Sequence, residues 1–190
     1  MARRVLMPGP LGALCILISV SLAACARRTE PRAAGCISDS LAQVQESSRK
    51  AARELLQQTE AGAFYKELAL RFGRPVSCTI ASDEIGIRLS YVFRDNGRLE
   101  ARINPSIEFA EQRMQLLGIT AERALELLKA AESGSFGREG CGIQWSRGAD
   151  ESSDGQDSRE IVYRGDICNC QARVTYQGQS VIGLTLRSTC

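Results

Sequence analysis

Ile85-Gly86-Ile87-Arg88-Leu89-Ser90-Tyr91-Val92-Phe93, then Arg94-Asp95-Asn96-Gly97-Arg98, then Leu99-Glu100-Ala101-Arg102-Ile103, is the stretch that decides the fold. Ile85, Ile87, Leu89, Tyr91 and Phe93 alternate with smaller or charged residues, and so do Leu99, Ala101 and Ile103. Period two puts each set on one face of a strand. An antiparallel hairpin with one buried face follows. A two-residue Asn96-Gly97 loop would set Phe93 against Glu100 and Tyr91 against Arg102, mixing charge into the apolar face. A three-residue Asp95-Asn96-Gly97 loop sets Phe93 against Leu99, Tyr91 against Ala101 and Leu89 against Ile103. That register is the expected one, with Gly97 in the left-handed conformation of a G1 bulge.

Towards the N-terminus the period changes to 3.6. Ile37, Leu41, Val44, Ala51, Ala52, Leu55 and Leu56 share a helical face, which predicts a long helix over 39–58 with Ser40 and Gln43 as a capping box. Phe64, Leu68 and Phe72 mark a second helix over 62–72, stopped by Gly73 and Pro75. Val76 to Ala81 reads as a short strand carrying Cys78.

Beyond the hairpin, Asn104-Pro105 has the form of a cap followed by proline at the first helical position. Ile107, Ala110, Met114 and Leu117 fit a helical face, while a strand carrying Ile107 and Phe109 competes, so residues 105–117 are left open between the two. Thr120 caps a helix to about Glu132 on the spacing of Ala121, Ala124, Leu125, Leu128 and Ala131. The rest reads as strands: 141–146, 159–164, 167–176 and 180–188, the last two joined at Gln177-Gly178-Gln179, with a polar loop over 147–158. The expected fold is a single α+β domain over 36–190. It has N-terminal helices and a β-hairpin, a central helix, and an antiparallel C-terminal sheet stapled by disulfides.

The start of the chain carries an address. Arg3 and Arg4 precede an apolar run from Leu11 to Val20, which is about half the ~20 residues that a membrane-spanning helix needs. Small residues follow, ending in Leu22-Ala23-Ala24-Cys25. This resembles the signal peptide and lipobox of bacterial lipoproteins. The resemblance covers residues 1–25 and implies removal of 1–24, a diacylglyceryl thioether on Cys25 and acylation of its new amino group, by palmitate for example. Two or more chains anchor stably where one does not. Ala26 after the cysteine, by the same analogy, favours the outer membrane and a periplasm-facing domain. Residues 25–35 then form the lipidated cysteine and its tether.

Taking 24 residues from 190 leaves 166, about one domain. Arg3 and Arg4 are the only charged residues removed, so the 24 basic residues become 22, equal to the 22 acidic ones. That balance argues against nucleic acid as a partner, because phosphate binding needs a basic excess. Cys36, Cys78, Cys141, Cys168, Cys170 and Cys190 make an even set, expected to form three disulfides in an oxidising compartment. Six cysteines allow fifteen connectivities, and the sequence alone does not choose among them; Cys36 with Cys78 is one expected pair, and Cys141 with Cys170 would follow if Cys168 and Cys190 meet across adjacent antiparallel strands.

Histidine is absent. That removes histidine nucleophile partners, general bases and metal ligands together. Cys168-Asn169-Cys170 on a strand would place both sulfurs on one face, but structural half-cystines explain it better than a redox dithiol or a metal site. Asp150 to Ile161 nearly matches a calcium loop yet has Ile161 where a bidentate glutamate is needed. Ser47-Ser48-Arg49-Lys50 matches S-x-x-K only by chance. Trp145 reads as a core aromatic against a disulfide before it reads as a partner anchor. Acidic pairs such as Asp83-Glu84 lie at the start of the hairpin, where sequence does not place them across a cleft, so a hydrolase using two carboxylates has no support from them.

No cofactor and no metal are expected. The sequence favours a non-catalytic, lipid-anchored envelope protein, a binding module of the inhibitor or immunity type, with the membrane and an envelope protein as partners. An envelope-assembly accessory lipoprotein and a small hydrolase are the alternatives.

Overall fold

Three strands grow from the alternating stretch: β1 (Ser77–Asp83), β2 (Gly86–Val92) and β3 (Arg98–Asn104). The computed structural model describes residues 39–133, 141–144, 150–152, 158–166 and 169–189. All of these lie in the unit Pro31–Cys190. The hairpin register is Tyr91 opposite Leu99, Leu89 opposite Ala101 and Ile87 opposite Ile103. It lies two residues from the expected one. The faces survive, because a slip by an even number keeps every side chain on its own side.

The loop explains the slip. It runs from Phe93 to Gly97 and is closed by the Phe93 N–H donating to the Gly97 carbonyl at 2.7 Å. Its left-handed residues are Asp95 (φ 52°) and Asn96 (φ 64°), and Gly97 is extended at φ −61°. Aspartate and asparagine tolerate that conformation better than most residues. Glycine is required at 97 for a different reason. A Cβ there would sit 2.9 Å from two ring carbons of Phe72.

The helices are α1 (Asp39–Ala42), α2 (Arg49–Ala61), α3 (Ala63–Phe72) and α4 (Ala121–Ser133). The single helix expected over 39–58 is broken at Gln45, whose backbone is extended (φ −53°, ψ 144°). Ser40 does not form the expected capping box; its hydroxyl donates to the Cys78 carbonyl at 3.4 Å. The break lets both Leu41 and Val44 turn into the core, where they are 6% and 2% exposed. The cap at Thr120 is as expected, its Oγ1 accepting from the Arg123 N–H at 3.2 Å.

Residues 105–117 hold the main surprise. Pro105–Ile107 makes one 3₁₀ turn, capped by Asn104 Oδ1 accepting from the Ser106 N–H at 3.0 Å. Glu108 then turns left-handed (φ 50°), and β4 runs from Phe109 to Ile119. Ala110, Gln112, Met114 and Leu116 point inward and are buried. Gln112 in that row hides the alternation from a hydropathy reading. Hydrogen bonding to β3 on one side and β9 on the other decides the conformation, since a lone helix of that length would bury only one stripe.

The C-terminal half adds β5 (Ile143–Gln144), β6 (Asp150–Ser152), β7 (Ser158–Gly165), β8 (Gln171–Gln177) and β9 (Ser180–Thr189). β8 and β9 are joined by a two-residue Gly178-Gln179 loop, with Gly178 at φ 60°. The expected hairpin and the expected C-terminal sheet are one sheet. Its order is β1-β2-β3-β4-β9-β8-β7-β5, with β6 also on β7 and every pair antiparallel. The seam is β4 against β9, with Met114 opposite Leu184 and Gln112 opposite Leu186.

The helices cover one face. A single buried cluster joins Leu55, Leu56, Phe64, Leu68, Ala124 and Leu128 to Leu89, Tyr91, Leu99, Met114, Val174, Leu184 and Leu186. Tyr65 of α3 stacks edge-on against Tyr91 and Phe93, at centroid distances of 5.1 and 5.7 Å. Cys141 and Cys170 are joined by a disulfide, as expected. Cys78 is also disulfide-bonded, and its partner lies outside the described residues. The α+β class is therefore correct, in a more unified form than the sequence suggests.

Candidate functional site

The face of the sheet away from the helices is built by the other half of each alternation. Row by row, cross-strand pairing sets Arg88, Arg102, Glu111, Arg187, Gln171 and Arg164 side by side. The next row is Ser90, Glu100, Arg113, Thr185, Arg173 and Val162, and the third is Val92, Arg98, Gln115, Gly183, Thr175 and Glu160. Among the described residues, seven arginines (88, 98, 102, 113, 164, 173 and 187) share this face with Asp83, Glu100, Glu111 and Glu160, and Glu151 stands opposite Glu160 in the register.

Two features are not what stability alone selects. Arg88 stands directly opposite Arg102, and like charges in that position are unfavourable. Asp83 relieves part of this, its Oδ2 lying 3.6 Å from Arg102 Nη2. Next, Thr185 has Arg113 on one neighbouring strand and Arg173 on the other, with Arg187 two residues along its own strand. The small hydroxyl between long guanidinium side chains leaves a depression of about 220 Å³, rimmed also by Glu111, Glu160 and Gln171. A second depression of about 190 Å³ adjoins it through Glu111 and Arg113 and extends to Arg88, Glu100 and Arg102. Arg173 is held by Glu160 Oε2 at 3.3 Å and Gln171 Oε1 at 3.5 Å, and Glu160 Oε1 in turn accepts from Thr175 at 3.3 Å. The Arg187 guanidinium lies 5.1 Å from the centroid of the Phe109 ring, a cation–π contact.

Another depression, about 710 Å³, lies at the opposite edge, between the start of α2 and the β1–β2 turn. It brings the acidic pair Asp83-Glu84 near Gln45, Ser47, Ser48 and Asn104. Asp83 is engaged, accepting from the Ile85 N–H at 2.9 Å as well as facing Arg102. Ser47 and Ser48 lie in the 3₁₀ turn before α2, and Lys50 extends to Glu54 at 3.9 Å. Nothing in that arrangement assembles the S-x-x-K chemistry.

Two buried polar clusters sit on the helix side. Glu67 accepts from Arg71 Nε and Arg123 Nη2, both at 2.7 Å, and so ties α3 to α4. Burial works to raise its pKa, but the hydrogen bonds and charges of Arg123 and Arg71 outweigh that and hold the carboxyl below its ordinary value. Tyr91 donates to Glu60 Oε1 at 2.6 Å. Burial first, and that bond second, push the phenol far above its ordinary value. Both clusters serve packing.

Of the sequence-derived candidates, Cys141 and Cys170 come together, and Cys78 is oxidised. Cys170 is therefore a structural half-cystine. The C-x-C argument from one strand face does not hold, because Asn169 is left-handed (φ 40°) and precedes β8. The corner is tight: a Cβ on Gly165 would meet the Cys141 carbonyl at 2.6 Å and Cys170 Cβ at 2.8 Å. The two ends of the calcium-like loop pair as strands, with Asp150 opposite Ile161 and Ser152 opposite Arg159. Its would-be first and last ligands are cross-strand neighbours, and part of the expected polar loop is β6. The signal segment with Leu22-Ala23-Ala24-Cys25, the tether over 25–35, Cys36, Trp145, Cys168 and Cys190 lie outside the described residues. Among the described residues no helix is long and apolar enough to cross a membrane.

The arginine-rich face is the feature that sequence reasoning missed. Its signal was present, since Arg88, Arg102, Arg113, Arg173 and Arg187 all fall on the polar phase of alternating strands. Only the strand order makes them neighbours. No protein-family model, curated protein or solved structure matches the chain.

Proposed function

We propose that this chain is a lipid-anchored, periplasm-facing envelope protein, a non-catalytic binding module that meets a protein partner through the helix-free face of its sheet. The anchor rests on the lipobox at Cys25. One observation carries the binding role: a broad sheet with one face sealed by helices and the other paved with arginines, acids and hydroxyls on a rigid frame. Backbone in such a sheet is pre-ordered, so a partner gains contacts at little cost in conformational entropy. Charge of both signs on the face favours a specific protein surface, since complementary patterns select partners and register. An inhibitor or immunity protein is the form this reading takes.

The test combines anchor and face. Cys25→Ser should abolish lipid labelling and leave the precursor uncut at that site. A photocrosslinking residue at Gln115, on the arginine-rich face, should capture one protein of defined mass in cells. The same residue at Lys50, on the exposed side of α2, should not. Normal lipid labelling of Cys25→Ser sinks the anchor, and equal or absent capture at the two positions sinks the binding face.

A further inference from the structure

We infer that the depression over Thr185 is a carboxylate-binding site and that its occupant is an acidic side chain of a protein partner. The inference rests on the reading of this face as the partner's surface. Arg113, Thr185 and Arg173 stand in one cross-strand row, and Arg187 closes the third side from two residues along β9. Arg113, Arg173 and Arg187 thus line a depression over a short side chain that does not fill it. A guanidinium presents a planar fork that matches a carboxylate with two parallel hydrogen bonds.

Two of the three arginines are pre-oriented. Arg173 is fixed by Glu160, and Arg187 lies over the Phe109 ring. Arg113 has no ion-pair partner among the described residues, and it is exposed. It is the arm free to close on a ligand.

The rim chooses the class of ligand. Glu111 and Glu160 border the same depression. They repel a polyanion or a sheet of phosphate headgroups, whose charges would press on both. A single carboxylate carried among neutral or basic neighbours meets the arginines and leaves the two glutamates compatible cationic company. An acidic residue on a folded protein surface presents charge in that way.

The experiment follows the Nε–Hε resonances of the arginines by NMR in the full oxidised chain in detergent. The probe is a blocked pentapeptide, Gly-Ser-Glu-Ser-Gly. Its glutamine counterpart, inorganic phosphate and vesicles containing phosphatidylglycerol are the other arms. The glutamate peptide should shift Arg113, Arg173 and Arg187 saturably. Arg113→Gln and Arg187→Gln should each weaken it at least fivefold, Arg113→Lys should recover only part, and Arg53→Gln on α2 should change nothing. An unchanged amide spectrum in each variant shows that the fold is kept. Equal shifts from the glutamine peptide would overturn the site. Tighter binding of phosphate or vesicles through the same arginines would overturn the assignment to a protein carboxylate. Crosslinking from Gln115 tests the binding face separately, so the face can stand while the carboxylate site fails.

Discussion

Glu67→Gln should destabilise the domain by about 2–3 kcal/mol. The Glu67 side chain is 4% exposed and accepts two charge-assisted hydrogen bonds at 2.7 Å, one from each helix it joins. Such bonds contribute roughly 1.5–3 kcal/mol each when shielded. Arg71 and Arg123 keep 34% and 44% of their side-chain surface in water, so solvent screening lowers each to about 1–1.5 kcal/mol. Glutamine keeps the shape but turns an amide N–H toward a guanidinium. For a domain of this size the loss corresponds to a fall in Tm of about 4–12 °C.

The assay is urea unfolding of the oxidised chain at pH 7 and again near pH 3. The carboxyl titrates lower in the folded state than in the unfolded state. Its contribution is therefore full above the unfolded value of about 4.3 and fades as pH falls through the folded value. The difference between wild type and variant should shrink at pH 3. In a cycle with Arg123→Gln the two losses should be less than additive. A change below about 0.5 kcal/mol at pH 7, the size of an ordinary surface substitution, would refute the claim that this ion cluster clamps α3 to α4.

Gly97→Ala should cost about 1–3 kcal/mol, through overpacking against Phe72; in Phe72→Ala the same change should become nearly neutral, and an equal cost in both backgrounds would mean that backbone strain, not the ring, matters. Replacing Cys141 and Cys170 together by alanine should lower stability by about 3–4 kcal/mol, because the bridge closes a long loop, and peptide mapping of the unreduced protein should recover these two cysteines linked. In an ultraviolet titration Tyr91 should stay protonated well beyond the ordinary phenol range. Tyr91→Phe should cost about 1 kcal/mol, since its acceptor Glu60 is partly in water. Because the Tyr91 phenol titrates higher folded than unfolded, its contribution is present below about pH 10 and lost as pH rises beyond it.

Local chemistry made much of the architecture legible. The alternation of Ile87, Leu89 and Tyr91 against Leu99, Ala101 and Ile103 determined which side of each strand is buried, because period two is a property of the chain. The apolar spacing of α3 and α4 and the Thr120 cap were local in the same sense. The anchor and the even set of cysteines also belong to the sequence, as expectations of address and oxidation. What the sequence did not hold was any choice between states with equal local energy. The hairpin register could slip by two without moving a side chain to the wrong face, and the contact of Gly97 with Phe72 singled one out. Residues 109–119 matched two periods, and hydrogen bonding to β3 and β9 on both sides selected the strand. The candidate site is the extreme case. Arg173 and Arg187 sit on the two strands of the β8–β9 hairpin, a local pairing, while Arg113 lies on β4, far away in the chain. The three line one depression over Thr185 only because β9 pairs on its other side with β4, a long-range contact that no local pattern encodes.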